Sequence, residues 1–528
     1  MCQHLIRDLI HFIFAASVKC ANILFVTPVA SPSHHIWNEV LVSGLLENGH
    51  NITLIGHADA KITSKNYTVL KIAGIDQVYQ SLNINELLYN KNTPIEDLQG
   101  IDQVYQSLNI NELQSLNINE LLYNKNTPIE DLQLLWDYIL AFAKVDLNSD
   151  ALTTLLNYPK STFDLIIFDI VTFDLIIFDI VCGQYLYPLI EYFGNPPVVA
   201  LSPFALPPYI LDAMGSQFYS FFPIIYVTYT DRMTFWQRLE NTFMNLYDYY
   251  LKWRNMEVMY KLAQERFGAD IEEFDKIERK FQILLANYDA TVDFAVPLPP
   301  NIIPVGGLHT KRSSKLPNDL LKLLNNSDQG VVLFSFGTNV HPSGLTAEKK
   351  TIFLNTFRKL KEIVLWKYDG EDLENVPANV IIRKWYQQND ILGHKNVKLF
   401  ITHSGGLSTR EAMFHGVPVL GIPLFMDQLN NAEKMQVRQL GRRLFMRDLS
   451  EETLYECIQD VLGNPIYKDN MKKVSELFRD QKETALERAV YWIEYTLRHK
   501  NLSHLSVRTR DMNIYQRENL LCIGLSIL

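Results

Sequence analysis

Asn22-Ile23-Leu24-Phe25-Val26, the loop Thr27 to His34, the apolar-periodic run Ile36 to Asn48 closed by Gly49, and Ile52-Thr53-Leu54-Ile55 form the stretch that decides the fold. A short apolar run, a run of helical period ending at glycine and a second short apolar run make a βαβ unit. Such units are right-handed and build parallel sheets. The same rhythm returns in strand Leu175 to Phe178, a helix-like stretch, and strand Val198 to Leu201. A long aromatic-rich helix is expected over Phe235 to Leu262.

Working outward, Pro297 to Gly307 and the basic-polar stretch up to Pro317 read as a linker that splits the chain nearly in half. A second α/β series follows: strand Val331 to Phe334, helix Ala347 to Leu360, and strands at Ile363 to Trp366, Val380 to Arg383, Leu399 to Thr402 and Val419 to Ile422. With 528 residues, the chain exceeds the ~250 to 300 at which a single core stops growing. The expectation is α/β, two Rossmann-like domains facing across a cleft. The first spans 21–296, the linker 297–317 and the second 318–483, with a C-terminal helix, Thr484 to His499, free to cross back to the first domain.

Identical copies interrupt the first half. Gly74 to Leu87 recurs as Gly100 to Leu113, Gln80 to Gln99 as Gln114 to Gln133, and Thr162 to Val171 as Thr172 to Val181. Solenoid repeats diverge at one constant period, so unequal offsets point to recent duplication or an assembly error. Two parallel neighbours need a crossover of a dozen or more residues. Only one copy of Phe-Asp-Leu-Ile-Ile-Phe-Asp can therefore hold the strand position. The second copy is favoured because Cys182 to Phe193 runs straight on from it.

Composition bounds the remaining possibilities. A net charge of −10 with no basic run argues against nucleic acid. The five cysteines carry neither a disulfide framework nor zinc-ligand spacing. Arg7 followed by Leu9 to Ala16 and small residues up to Cys20 has the pattern of a signal peptide over 1–20. Asn51, Asn66, Asn325 and Asn501 head glycosylation sequons. The expected compartment is the lumenal side of the endoplasmic reticulum. The apolar end Leu520 to Leu528 reads as the opening of a truncated membrane anchor.

The densest chemistry lies between Lys384 and Asn431: Trp385, Gln388, Phe400-Ile401-Thr402-His403-Ser404-Gly405-Gly406, Ser408, Glu411, Gly416-Val417-Pro418, Pro423 and Asp427-Gln428. A strand entering a glycine-rich turn and then a helix near Leu407 or Ser408 aims free N–H groups and a positive helix end at an anion. His403 adds a donor and Ser408 a hydroxyl. Trp385 offers a flat face for a base, and Gln388 can bond to base or ribose. Glu411 can accept from ribose hydroxyls, and Asp427 and Gln428 can bind those of a sugar. Ser335-Phe336-Gly337-Thr338 is a second turn after a strand.

This segment resembles the signature of the UDP-glycosyltransferase family, which includes the UDP-glucuronosyltransferases, in an insect-like form. The resemblance implies a GT-B architecture, with Ser335, Gly337, Thr338, Trp385, Gln388, His403, Ser404, Gly405, Ser408, Glu411, Asp427 and Gln428 on a UDP-sugar donor. It implies inverting transfer of a glucuronosyl or glucosyl group to a hydroxyl of a small lipophilic acceptor. UDP-glucuronate or UDP-glucose is then the co-substrate, and no metal or further cofactor is implied. The family usually has Pro where Gln387 stands and Gly where Ser404 stands. Ser404 crowds the turn if its backbone needs positive φ.

A histidine suits the base because its pKa of about 6.5 lies near working pH. His34, in the loop between the first strand and its helix, matches the family's Ser-His pair, with His35 as the alternative. A carboxylate that orients it ends a strand of the first domain, Asp179 or its duplicate Asp169, with Asp179 preferred; Asp164 and Asp174 face the wrong end. Aromatic residues from Phe218 to Trp236 either line an acceptor pocket, touch a membrane surface or form core. A homo-oligomer is compatible with the sequence. The competing reading is a catalytically impaired relative that binds a lipophile or a UDP-sugar.

Overall fold

The structure, a computed structural model, describes residues 20–59, 61–74, 128–158, 173–338, 340 and 342–512. The expected signal segment up to residue 19, most of the first duplication, Asp164, Asp169 and the apolar C-terminal end lie outside the described residues.

Two parallel sheets carry the chain. The first contains β1 (Asn22–Thr27), β2 (Asn51–Gly56), β3 (Tyr67–Lys71), β4 (Leu175–Asp179), β5 (Val198–Ser202), β6 (Phe281–Ala286) and β7 (Ile302–Pro304), in the order 3-2-1-4-5-6-7. The second contains β8 (Val331–Ser335), β9 (Ile363–Lys367), β10 (Val380–Arg383), β11 (Val397–Thr402), β12 (Val419–Gly421) and β13 (Gly441–Arg443), in the order 10-9-8-11-12-13. Each is a doubly wound Rossmann-like sheet, as expected, with apolar clusters against both faces. Strand order reverses at β1/β4 in one sheet and β8/β11 in the other, where such sheets open a crevice beyond their carboxyl ends.

Helices flank the sheets, among them α1 (Pro32–Glu47), α2 (Pro128–Leu147), α3 (Phe235–Phe267), α4 (Gln388–Leu392), α5 (Gly406–His415) and α6 (Gln428–Val437) in the crossovers and α7 (Ala485–His499) after the last strand. The chain differs from the sequence expectation at several element ends. Helix α1 starts at Pro32, four residues before Ile36, because proline is a good first helical residue that forfeits no intrahelical bond. His34 therefore sits in the first turn of a helix, not in the loop before it. Helix α3 runs on to Phe267, closed by Gly268 at φ 107°. Ile302–Pro304, inside the stretch read as linker, pairs with β6 as the edge strand of the first sheet.

The second duplicate, residues 172–181, supplies β4 between β1 and β5. Asp174 at its start accepts from the Asn22 amide at 2.8 Å, at the end of the sheet remote from the crevice. Helix α7 returns to the first domain: Ala489, Val490 and Ile493 join the core layer that holds Trp37, Leu41 and Leu45 of α1.

One carboxylate ties the halves together. Asp293, in the segment after β6, accepts from Arg410 of α5 at 2.7 Å and from Lys434 of α6 at 3.0 Å. Arg410 also donates to the Asn287 carbonyl, and Arg438 to the carbonyls of Thr291, Val292 and Asp293. Burial opposes ionisation of Asp293, but Arg410 and Lys434 outweigh it and hold the carboxyl at about 2. Removing it strands two buried cations. Asp293→Ala is expected to cost about 3–5 kcal/mol in urea unfolding. Because its folded pKa is depressed, the stabilisation is full above about pH 4 and drains away as pH falls toward 2. An acid-unfolding profile of the variant that overlays wild type would contradict this.

Candidate active site

At the switch point of the first sheet, His34 and Asp179 meet. Nδ1 of His34 lies 2.9 Å from Oδ2 of Asp179, both side chains buried. A carboxylate only accepts, so the ring nitrogen facing it carries the proton and Nε2 stays available toward the cleft. The other oxygen of Asp179 takes the Val181 amide at 3.2 Å, which fixes the carboxylate plane. Asn38, one turn along α1, donates to Thr27 at 2.9 Å and ties this helix to the end of β1. The Phe204 ring lies 6.3 Å from the imidazole, centroid to centroid. His35 points elsewhere chemically: burial first, then the neighbouring His34, His57 and Lys61, push it down to about 3, so it stays neutral at working pH.

At the matching switch point of the second sheet, β8 ends at Ser335, whose hydroxyl accepts from the Gly337 amide at 3.2 Å. Gly337 turns at φ 77°, and a Cβ there would come 2.5 Å from the His403 ring. A Cβ on Gly405 would meet the same ring at 2.4 Å. The imidazole of His403 is thus wedged between two backbone turns that only glycine permits. Burial and the Lys367 charge lower His403 to about 3, so it is a neutral donor or acceptor. Thr338 follows, half-buried.

Helix α5 begins at Gly406, with Gly405 as its cap residue and no side chain capping it. That leaves its first N–H groups and positive end turned to the crevice. Ser404 adopts φ 64°. The position the family fills with glycine does require the left-handed region, and here a serine occupies it, its hydroxyl buried without a hydrogen-bond partner.

Gln388, at the start of α4, donates to Ser408 at 3.1 Å and to Glu411 at 2.6 Å, so three expected donor-site residues form one polar cluster. Burial raises Glu411 to about 7, partly offset by the Gln388 bond. Trp385 is exposed, with the Lys367 ammonium 4.8 Å above its ring. Asp427 accepts from Asn431 at 2.8 Å, and burial raises its pKa. The Asn431 bond and the nearby Lys434 and Arg410 charges oppose that rise. Gln428 is only half available: its carbonyl oxygen accepts from the Leu424 and Phe425 amides at 2.9 and 3.3 Å. Any ligand must use its amide nitrogen.

Sequence reading missed Lys367. It ends β9, donates to the Gly337 carbonyl, stacks over Trp385 and shifts His403. A lysine closing a strand at the carboxyl edge of a parallel sheet is the signal that would have found it. It is a cation held at the Gly337 turn, beside the exposed Trp385 ring.

The chain matches the family described as UDP-glucoronosyl and UDP-glucosyl transferase over residues 22–528. It is 38% identical over 325 residues to UDP-glycosyltransferase UGT5 of Dactylopius coccus, covering 61% of each chain. Against UDP-glucuronosyltransferase 2B19 of Macaca fascicularis the identity is 32%, over 74% of this chain and 72% of that one. The chain thus spans about three fifths of the length of the insect relative it matches. In fold it is similar to the calicheamicin glycosyltransferase CalG4, with a TM-score of 0.54 at 16% identity, covering 91% of this chain and 99% of that one.

The strained serine yields a direct test. Ser404→Gly removes a left-handed Cβ and a buried unpaired hydroxyl, at the cost of a more flexible unfolded chain. The expected net gain is about 1 kcal/mol, a rise in Tm of about 1–2 °C for a chain of 528 residues. A lower Tm by calorimetry would show that the Ser404 hydroxyl is held by something stabilising.

Proposed function

This chain belongs to the UDP-glucuronosyl and UDP-glucosyl transferase family, and from that premise we propose that it transfers a hexosyl group from a UDP-sugar to a hydroxyl of a small lipophilic acceptor. The observation that carries the proposal is the buried His34–Asp179 pair at the switch point of the first sheet.

In this reading Nε2 of His34 takes the proton of the acceptor hydroxyl. Asp179 keeps Nδ1 protonated and stabilises the imidazolium that forms. The acceptor oxygen bonds to the anomeric carbon as the bond to the diphosphate oxygen breaks, on the opposite face, so the configuration inverts. Charge builds on the leaving diphosphate, which the N-terminus of α5 and Lys367 are placed to receive. Trp385 stacks on the uracil, and the Gln388–Ser408–Glu411 cluster takes the ribose. Asp427 and the amide nitrogen of Gln428 hold sugar hydroxyls. The half-buried Phe204 ring beside His34, packed against the apolar core of the first domain, supports an apolar acceptor. Exposed Asn325 and Asn501 sequons support a lumenal, glycosylated protein.

The test uses the purified full chain with a phenol and either UDP-glucose or UDP-glucuronate, side by side, which also measures the donor preference. His34→Ala is expected to lower turnover by about a thousandfold while UDP affinity, by calorimetry, stays within about twofold of wild type. A variant with wild-type turnover would sink the assignment. Wild type that binds UDP yet turns over neither donor would leave the non-catalytic reading standing.

Lys367→Met is expected to raise KM for the donor about tenfold, the scale of one lost hydrogen bond to a charged group. An unchanged KM would remove Lys367 from the phosphate site.

A further inference from the structure

Between β12 and α6 the chain turns at Met426, whose φ is 56°. A bulky residue in the left-handed region is an outlier that persists only where its surroundings hold it there. The Gln428 carbonyl oxygen, which takes the Leu424 and Phe425 amides, and Asn431, which donates to Asp427, clamp the turn on either side. Glycine would make this turn without strain. The backbone therefore gives no reason for methionine, and the reason lies with its side chain.

The turn sends neighbouring side chains to different domains. Leu424 and Phe425 pack on a core cluster of the second domain. Met426, half-buried, packs instead on the first-domain cluster that also carries Phe204, together with Val181 and Cys182 just after Asp179. Every other described member of that cluster lies between Leu24 and Ile302. Among the described residues Met426 is thus the one side chain that the second domain adds to it. The first turn of α6 shows where it lands. Asn430 donates to the carbonyls of Val227 and Tyr229 at 3.1 and 3.2 Å, and both residues belong to the same cluster.

We propose that Met426 is an acceptor-selecting residue: with it the second domain closes the apolar side of the acceptor site, and its length sets how large an acceptor fits beside His34. The assignment rests on the reading of His34 as the base that the acceptor hydroxyl reaches. Met426 directly precedes Asp427, which in that reading holds sugar hydroxyls, so its side chain stands where acceptor and sugar meet. An unbranched thioether fills irregular gaps and lies well against aromatic rings. Such a wall suits a small, flat, apolar acceptor such as a one-ring phenol.

The test is calorimetric titration of the UDP-loaded full chain with 4-nitrophenol and with a four-ring phenolic steroid. It needs no turnover. A chain inactive toward both donors would sink the catalytic reading and still report on Met426. Met426→Ala is expected to shift the ratio of the two dissociation constants about tenfold in favour of the steroid, the scale of a few methylenes in an apolar pocket. Met426→Gly, which suits the left-handed turn, should shift it at least as far. Met426→Leu, close to methionine in volume, should leave the ratio within about twofold of wild type. UDP affinity should change by less than about twofold in all three variants. An unchanged ratio in the alanine and glycine variants would overturn the proposal, and so would a leucine variant that behaves like alanine. A loss of UDP affinity as large as the shift in the ratio would also overturn it, by making Met426 a contact between domains and nothing more.

Discussion

The contact of Asp293 with Arg410 and Lys434 sets where everything else can meet. Each sheet makes its own crevice by reversing strand order, with His34 and Asp179 at one and the glycine turns around His403 at the other. Arg410 lies on the helix that begins at the Gly405–Gly406 turn, and Lys434 lies on the helix that starts beside Asp427. By gripping both through one carboxylate, the segment after β6 orients the second domain's two site helices as a unit toward His34. Asn430 reinforces this by donating to the Val227 and Tyr229 carbonyls of the first domain. The ion cluster contributes orientation more than net stability, since desolvating three charges consumes most of their attraction.

Within each domain the site is built on backbone that cannot move freely. His403 is held by two glycine turns, Gln388 bridges Ser408 and Glu411, and Asp179 is fixed by the Val181 amide. Such elements limit the reorganisation a bound ligand would require. The exception is Ser404, a left-handed residue with a buried unpaired hydroxyl, placed where the chain turns from β11 into α5. Strain of this kind persists only where surrounding structure over-determines it. Here the Asn431 side chain donates to the Ser404 carbonyl, and Gly421 lies close against its hydroxyl.

Much of this was legible locally. Apolar runs located β1, β4, β5, β8, β9 and β11 to within one or two residues, because a buried parallel strand must be apolar on both faces. The strand at Phe281–Ala286 went unread since Gln282 and the flanking charged residues blur its run, and β7 is too short, and too rich in proline around it, to show a period. Helix α1 was begun late because Pro32 was read as a loop residue. Lys367 carries no motif of its own; only the meeting of β9 with the Gly337 turn makes it part of a site.

The sequence by itself determined the two α/β series, the glycine turn before α5 and the polar residue types gathered around it, because periodicity and turn chemistry act over a few residues. Tertiary structure decided what lies between elements: that the second duplicate holds the strand and brings Asp179 to His34, that Gln428 spends its carbonyl on its own loop, and that Asp293 serves both domains. It also decided which side of α3 faces outward. A heptad spacing says that six large residues share a face, and only the packing of the opposite face against the first domain decides that this stripe is the exposed one.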